Sequence, residues 1–392
     1  MSATIKKILL NHRLVSVLSL GFAAGLPLAL VGATLQAWFT EANIDLVMVG
    51  ALSLVGIPYT LKFIWAPVMD YFRLAGWGRR GWILLTQFAL AILLWLMASM
   101  HPGQQAYLMG IVALLIAFFS ASQDIAVDAY RTEILLPEER GLGAAYYVAA
   151  YRIAVLISGG LALIYADYFG WCATYQLMSV LFLFSMLATY YAPKTIEFVA
   201  TSAPFHQQVA SSFRDLLQRD KVVLLMLFIV FYKIGDALAL SLMTNFLLHG
   251  LGFTLTEVGL AYKLVSFFAT ISGAFVGGLL LTRWSIYRAL MVFDLAQAFS
   301  NLTFVWLALA GKQFVLMAGS IFIENFCSGL STAAFLAFLM SLCNKRYTAG
   351  QYAVLSAIAS LGRVFLGPVA AVMVKEWGWV KSALLARWLQ AH

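Results

Sequence analysis

Long apolar runs alternate with short polar loops along the whole chain. About eleven of them reach the roughly 20 residues a helix needs to cross a hydrocarbon core. They fall at 14–38, 46–69, 82–100, 105–127, 140–166, 171–192, 222–248, 257–281, 287–309, 313–342 and 351–374. The pattern predicts helices throughout. The main exception to clean alternation is the stretch SASQDIAVDAYRTEILLPEERGLGAA, Ser120 to Ala145, which carries charge into the end of an apolar run. Asp124, Asp128 and Arg131 stand at i, i+4 and i+7, so they share one helical face. Ionised groups at membrane depth are costly and line cavities or pathways. A polar stripe there predicts a route for a hydrophilic solute.

Composition gives the same class. Of 392 residues, 63% are hydrophobic and 11% charged, and the mean hydropathy is +0.89. Such values describe a polytopic membrane protein and not a soluble domain. The first apolar run is too long for a cleavable leader and lacks a small-residue cleavage site followed by a soluble domain. The net charge of +8 does not call for nucleic acid, because its placement explains it. Lys6, Lys7, Arg13, Arg73, Arg79, Arg80, Arg131, Arg140, Lys194, Arg214, Arg219, Lys221, Arg283, Arg288, Lys345 and Arg346 fall in alternate loops. The intervening loops hold Glu41, Asp45, Asp167 and Glu257, with Lys312 the lone base. This is the positive-inside distribution, and it places the N-terminus in the cytoplasm.

The longest polar stretch, Pro193 to Lys221, follows six spans and contains FRDLLQRDK, a candidate amphipathic surface helix. It divides the chain into a six-helix bundle at 1–192, a cytoplasmic linker at 193–221 and a second bundle at 222–392. The halves echo each other. Arg152 follows Arg140 by twelve residues and precedes Gly159-Gly160, while Arg363 follows Gln351 by twelve and precedes Gly367-Pro368. The loop PVMDYFRLAGWGRRGWIL has a weaker counterpart in GGLLLTRWSIYRAL. Two related bundles joined by such a loop describe the major facilitator architecture, all-α, with solute bound between the halves near the midplane. After Trp379 the chain reads VKSALLARWLQAH, too short and too basic for a twelfth span. The second bundle is therefore expected to hold five spans and a truncated end.

Charges at membrane depth define candidate site residues. Lys62, Arg152, Lys233, Lys263 and Arg363 form a cationic set suited to an anionic solute, and arginine's planar fork suits carboxylates. Tyr59 and Tyr151 are among the aromatics near these positions and offer faces for sugar rings. Asp124, Asp128, Asp236 and Glu324 are candidate proton carriers: burial favours the protonated carboxyl and a nearby cation favours the ionised one. The alternative for each is a permanent ion pair between helices, most plainly for Asp236 beside Lys233. Asp70 with Arg79 and Arg80 resembles the signature loop of the major facilitator superfamily, where acid and bases latch the cytoplasmic side. Pro67 and the later Gly76 and Gly78 depart from the usual glycine positions. Asp70, Arg79, Arg80 and Arg131 are the candidate gating set. Gly21-x-x-x-Gly25 with Pro27, and Gly273-x-x-x-Gly277, predict close helix packing and a kink.

Enzymatic chemistry finds no support. None of His12, His101, His206, His249 and His392 is mid-span, and Cys172, Cys327 and Cys343 have no metal-ligand spacing. There is no HExxH and no phosphate loop, so neither a cofactor nor a nucleotide is implied and an ion gradient must drive any transport.

Several segments together resemble the AmpG muropeptide permeases of Gram-negative bacteria. They are GFAAGLPLALVGATLQAWFTEANIDL, SLVGIPYTLKFIWAPVMD, SASQDIAVDAYRTEILLPEERGLGAA, YKIGDALALSLMTNFLLHGLGF and NKRYTAGQYAVLSAIASLGRVFLGPVA. The resemblance covers roughly residues 8 to 379, and DIAVDAYRTEIL is its most specific part. It implies a permease of the bacterial inner membrane that imports anhydro-muropeptides, by proton symport, for peptidoglycan recycling. It carries over functional importance to Asp124, Asp128 and Arg131. The alternatives are a transporter of another anionic solute, of siderophore or acyl-CoA type, and an inactive or sensing remnant of the family.

Overall fold

The computed structural model describes residues 11–44, 52–72, 77–195, 205–218, 220–232, 251–254 and 264–359, with isolated positions between them. Among these, six helical stretches are long and apolar enough to cross a membrane: His12–Glu41, Gly78–Ala98, Pro102–Ile134, Pro137–Tyr191, Ile286–Ala310 and Phe314–Leu342. Contact clustering divides the chain into two units. Unit 1 holds Met1–Leu136, Tyr146–Phe213 and Cys343–Ala353. Unit 2 holds Pro137–Ala145, Arg214–Leu342 and Val354–His392.

Unit 1 opens with α1 (His12–Glu41). Asn11 caps it, its side chain accepting from the Arg13 N–H at 3.1 Å. The expected kink does not fall on Pro27. It falls at Leu30–Thr34, a π-helical turn in which Gly32 leaves helical geometry (φ −92°, ψ −110°). The apolar run at 46–69 is not one helix. It is broken into a 3₁₀ turn at Leu52–Gly56, a short α2 (Ile57–Leu61), a second 3₁₀ turn at Lys62–Ile64 and α3 (Ala66–Tyr71). Pro58 and Pro67, each in the first turn of a piece, supply no N–H to continue the preceding one.

α4 (Gly78–Ala98) is continuous, and α5 (Pro102–Ile134) is kinked near its start, where Gln105 leaves helical geometry (φ −131°, ψ 22°). α6 (Arg140–Val155) runs through a second π-turn at Leu156–Leu161 into α7 (Ala162–Tyr191). The 55-residue stretch Pro137–Tyr191 is two spans, because Gly170 breaks it at φ +79°. Only glycine takes that conformation without strain.

In unit 1, α4 packs against α5 and α7, and α1 packs against the same two. Leu26, Leu30, Leu90, Leu94, Val112 and Phe182 are buried in the core. On α4, Leu85, Phe88, Ile92 and Trp95 are exposed while Ile83, Leu90, Leu94 and Met97 are buried. A helix apolar on both faces is solvated by lipid on the outer one. Gly21 and Gly25 permit a close crossing. A Cβ on either would lie 2.7 Å from the Tyr147 carbonyl oxygen or 2.5 Å from that of Tyr151.

The two π-turns meet. Thr34 Oγ1 donates to the Ser158 carbonyl at 2.7 Å, and Tyr175 Oη donates to the Leu30 carbonyl at 2.9 Å. Carbonyls displaced from the regular ladder thus find side-chain donors.

The linker contributes α8 (Phe205–Leu217). The helix expected on the membrane surface packs in part against protein. Ser212 and Leu216 are buried, Ser211 Oγ lies 2.9 Å from Tyr347 Oη, and Gln351 Nε2 donates to the Ser212 carbonyl at 3.3 Å.

Unit 2 contains α9 (Val222–Tyr232), α10 (Ser266–Leu280), α11 (Ile286–Ala310) and α12 (Phe314–Leu342). α12 packs against both α10 and α11. Gly273 and Gly277 set the α10–α12 crossing, where a Cβ on Gly273 would collide with the Phe326 backbone and one on Gly277 would lie 3.0 Å from Leu330 Cα. Glu257 accepts from the Thr254 N–H at 2.7 Å and pairs with Lys312 at 3.3 Å. The Thr254 N–H, more than the lysine, holds this exposed carboxylate below its usual range. The last helix among the described residues, α13, covers 348–359, with 348–353 counted in unit 1 and the rest in unit 2.

Candidate functional site

Two clusters of ionisable groups lie within unit 1. The first is built on the polar stripe of α5. Asp128 pairs with Arg131 one turn away (Oδ1 to Nη2, 2.8 Å) and with Lys62 (Oδ2 to Nζ, 3.5 Å). Lys62 reaches it because the 3₁₀ turn after α2 breaks the preceding helix there. Arg131 is 1% exposed. Its guanidinium lies 4.3 Å from the centroid of the Tyr147 ring and 5.1 Å from that of Tyr352, and it donates to Tyr352 Oη. Its Nε and Nη1 have no acceptor among the described residues.

One turn earlier, Asp124 lies within electrostatic range of Lys62, Asp128 and Arg131. It makes no ion pair among the described residues, and its buried Oδ1 has no hydrogen-bond donor there. Both polar atoms of the Gln123 amide are also buried with no hydrogen-bond partner among the described residues, and the buried Tyr59 hydroxyl meets that of Ser120. Leaving such groups dry costs roughly 1–3 kcal/mol each, so this stripe is built to meet water or a polar solute. Tyr151 stacks on Tyr147 with centroids 6.2 Å apart. Arg152, next to it on α6, is exposed.

The second cluster centres on Arg79 at the start of α4, which makes four hydrogen bonds. Nη2 donates to Asp70 Oδ1 (2.6 Å) and Thr348 Oγ1 (2.9 Å), Nε to Glu133 Oε1 (2.8 Å), and Nη1 to the Met69 carbonyl (2.8 Å). Asp70 also accepts the N–H groups of Ala349 (3.1 Å) and Gly350 (2.7 Å). These are orphan donors in the first turn of α13, where a carboxylate is favoured by the free amides and the helix dipole. Thr348 Oγ1 donates to Glu133 at 2.6 Å and closes the ring. The second-half segment 343–353 is thus tied into unit 1 by both clusters.

Arg80, grouped with Arg79 from the sequence, turns elsewhere. It donates to the carbonyls of Tyr190 and Ala192 at 3.1 and 2.7 Å and lies over the Trp77 ring, capping the end of α7. Glu324 lies in unit 2 on α12, 2% exposed, accepting from Asn325 Nδ2 at 2.6 Å. Lys233, Asp236, Lys263 and Arg363 lie outside the described residues. Sequence reasoning passed over Glu133, Thr348 and Tyr352. Glu133 carried a signal, a third acid on α5 two residues beyond Arg131. The other two carried none, since an uncharged residue near a helix start is common.

Stacked apolar helices with ionised groups buried among them define a membrane transporter, and the comparisons agree. The chain belongs to the Major Facilitator Superfamily, whose family model matches residues 15–368. It is a multi-pass membrane transporter and not an enzyme. It is 45% identical over 381 residues to the anhydromuropeptide permease of Escherichia coli strain K12, covering 97% of this chain and 78% of that protein. It is 30% identical over 390 residues to a putative transporter, AmpG 4, of Rickettsia conorii, covering 96% and 93%. Among solved structures, the E. coli fucose:proton symporter FucP (N162A) superposes with a TM-score of 0.71 at 14% identity, covering 96% of each chain. The proton:xylose symporter XylE superposes with a TM-score of 0.67 at 11% identity, covering 99% and 94%. These two establish the fold alone.

Proposed function

We propose that this transporter imports anhydro-muropeptides across the bacterial inner membrane, with its N-terminus in the cytoplasm and with protons as the coupling ion. The 45% identity to an anhydromuropeptide permease supports the solute class. The observation that carries the mechanism is the α5 stripe: two cations share Asp128 while the Asp124 carboxylate one turn away has no ion-pair partner among the described residues. Lys62 is the looser partner of Asp128 and the one available to a solute carboxylate. Arg152 on α6, and Lys233, Lys263 and Arg363 in the second half, extend the cationic set. Tyr59 and Tyr151 supply a hydroxyl and a ring face to the sugar. Asp124 exchanges the proton, with Asp128, Asp236 and Glu324 as the other acids of the path. Asp70, Arg79 and Arg131 hold the segment 343–353 as an inner gate, and Arg80 secures the end of α7 beside it. Bundles at 1–192 and 222–392, joined by the linker at 193–221, rock about the solute.

The test is uptake of labelled anhydro-muropeptide in a strain lacking its own permease. Uptake that an imposed proton gradient accelerates is the expected result. Saturable binding without gradient-dependent uptake would replace the importer with a receptor-like protein. Uptake outcompeted by an unrelated anion would reassign the cargo.

A further inference from the structure

We infer that Tyr352 is a positioning residue for transport, fixing Arg131 on Asp128 and making the docking of segment 343–353 conditional on the charge of Asp128. The inference rests on the gating role proposed for that segment. Three observations carry it. Tyr352 is 2% exposed and meets the guanidinium twice, through its hydroxyl and through its ring. Tyr147 meets the same cation with its ring at 4.3 Å, so Arg131 has two aromatic neighbours and, among the described residues, one carboxylate in ion-pair contact. Among the described residues, Asp128 accepts no hydrogen bond from 343–353, and its link to that segment is Arg131.

The chemistry follows from what each partner offers. A guanidinium buried beside two rings keeps its charge but loses most of its hydration, so a carboxylate at 2.8 Å is its main electrostatic compensation. Remove the charge on Asp128 and Arg131 loses its ion pair, and the buried cation is driven toward water or the Asp124 carboxylate one turn away. Its Nε and Nη1, without acceptors among the described residues, are the donors such an acceptor would take. Tyr352 then loses its partner, and the segment loses its tie to the α5 stripe. Because coupling free energy is reciprocal, loosening Tyr352 must also loosen Arg131 on Asp128.

The chain carries its own reporter. Of its three cysteines, Cys343 stands at the start of the segment and is partly exposed. In a Cys172→Ser/Cys327→Ser background, the rate at which a maleimide labels Cys343 of the purified full chain reads how tightly the segment is held. Tyr352→Phe and Asp128→Asn are each expected to raise that rate several-fold. The double variant should label no faster than the faster single one. If Asp128→Asn fails to fold, Tyr147→Leu takes its place with the same expectation, and Tyr147→Phe, which keeps the ring, should label at the parent rate. Labelling unchanged by Asp128→Asn, or two effects that simply multiply, would overturn the inference. No solute is present, so an error in the proposed cargo leaves this experiment untouched.

Discussion

Asp70→Asn is the sharpest single perturbation of the Arg79 cluster. The side chain is 3% exposed, keeps nearly the same shape and loses only its charge. As a carboxylate it accepts from Arg79 and from two backbone amides of α13. An asparagine has one carbonyl oxygen for these three donors and presents an NH₂ to at least one of them. Breaking a buried ion pair costs roughly 3–5 kcal/mol. The lower end applies, because Arg79 keeps Glu133, Thr348 and the Met69 carbonyl. A loss of about 3 kcal/mol shifts the docking equilibrium of the segment roughly a hundredfold. The assay is amide hydrogen–deuterium exchange at Ala349 and Gly350 in nanodiscs. Both amides should exchange on the order of a hundredfold faster in Asp70→Asn. Exchange within about threefold of the parent would mean that the carboxylate does not hold the helix start, and the latch argument would fail.

Other substitutions test separate parts of the argument. Asp124→Asn should abolish uptake while leaving membrane abundance intact; wild-type uptake by that variant, measured in the permease-null strain, would remove Asp124 from the mechanism. Arg79→Gln should destabilise more than Asp70→Asn, because it strands Asp70 and Glu133 together, and the comparison of melting temperatures in one detergent decides it. Gly25→Ala places a methyl 2.5 Å from the Tyr151 carbonyl and 2.8 Å from Ala154 Cβ, and should lower stability by about 1–3 kcal/mol in a thermal melt. Thr34→Val removes the donor that satisfies the Ser158 carbonyl and should cost about 1–3 kcal/mol, with turnover falling if the paired π-turns move during transport.

How much was legible follows from the range of each interaction. Periodicity and span length are local, so the apolar helices, the face shared by Asp124, Asp128 and Arg131, and the glycine crossings could be read directly. The break in the run at 46–69 was written as Pro58 and Pro67, although hydropathy alone passes over it. Partner choice was not local. Arg79 finds Thr348 across 269 positions, and Arg131 finds Tyr352 across 221. Nothing in the spacing of Arg79 and Arg80 says that one joins a buried carboxylate cluster while the other caps carbonyls at 190 and 192. The π-turns were invisible for another reason. Gly32 and Gly159-Gly160 permit them, but the displaced carbonyls are stabilised only once Tyr175 and Thr34 arrive from packing.

The composition of the contact around segment 343–353 bears on why it is built of charge. A permanent junction between helices would be apolar, as the Gly273–Phe326 crossing is, because dispersion and area favour it without any desolvation term. Here the segment is held by Asp70 on amides, Thr348 between Arg79 and Glu133, Tyr352 on Arg131, and Gln351 on the α8 backbone. Buried polar sets of this kind add little net stability against an apolar equivalent, yet each fails steeply when one partner is lost. Glu133 sharpens the point. It shares Arg79 with Asp70, so the cluster holds two carboxylates and one guanidinium, and removing that one cation leaves two repelling acids. A contact with small net stability and a steep response to a single lost charge suits the gating role proposed for this segment. Glu133→Gln should therefore relieve the repulsion that Arg79→Gln creates. The double variant is expected to melt above Arg79→Gln alone, and a melt at or below the single variant would place the weakness somewhere other than this excess of negative charge.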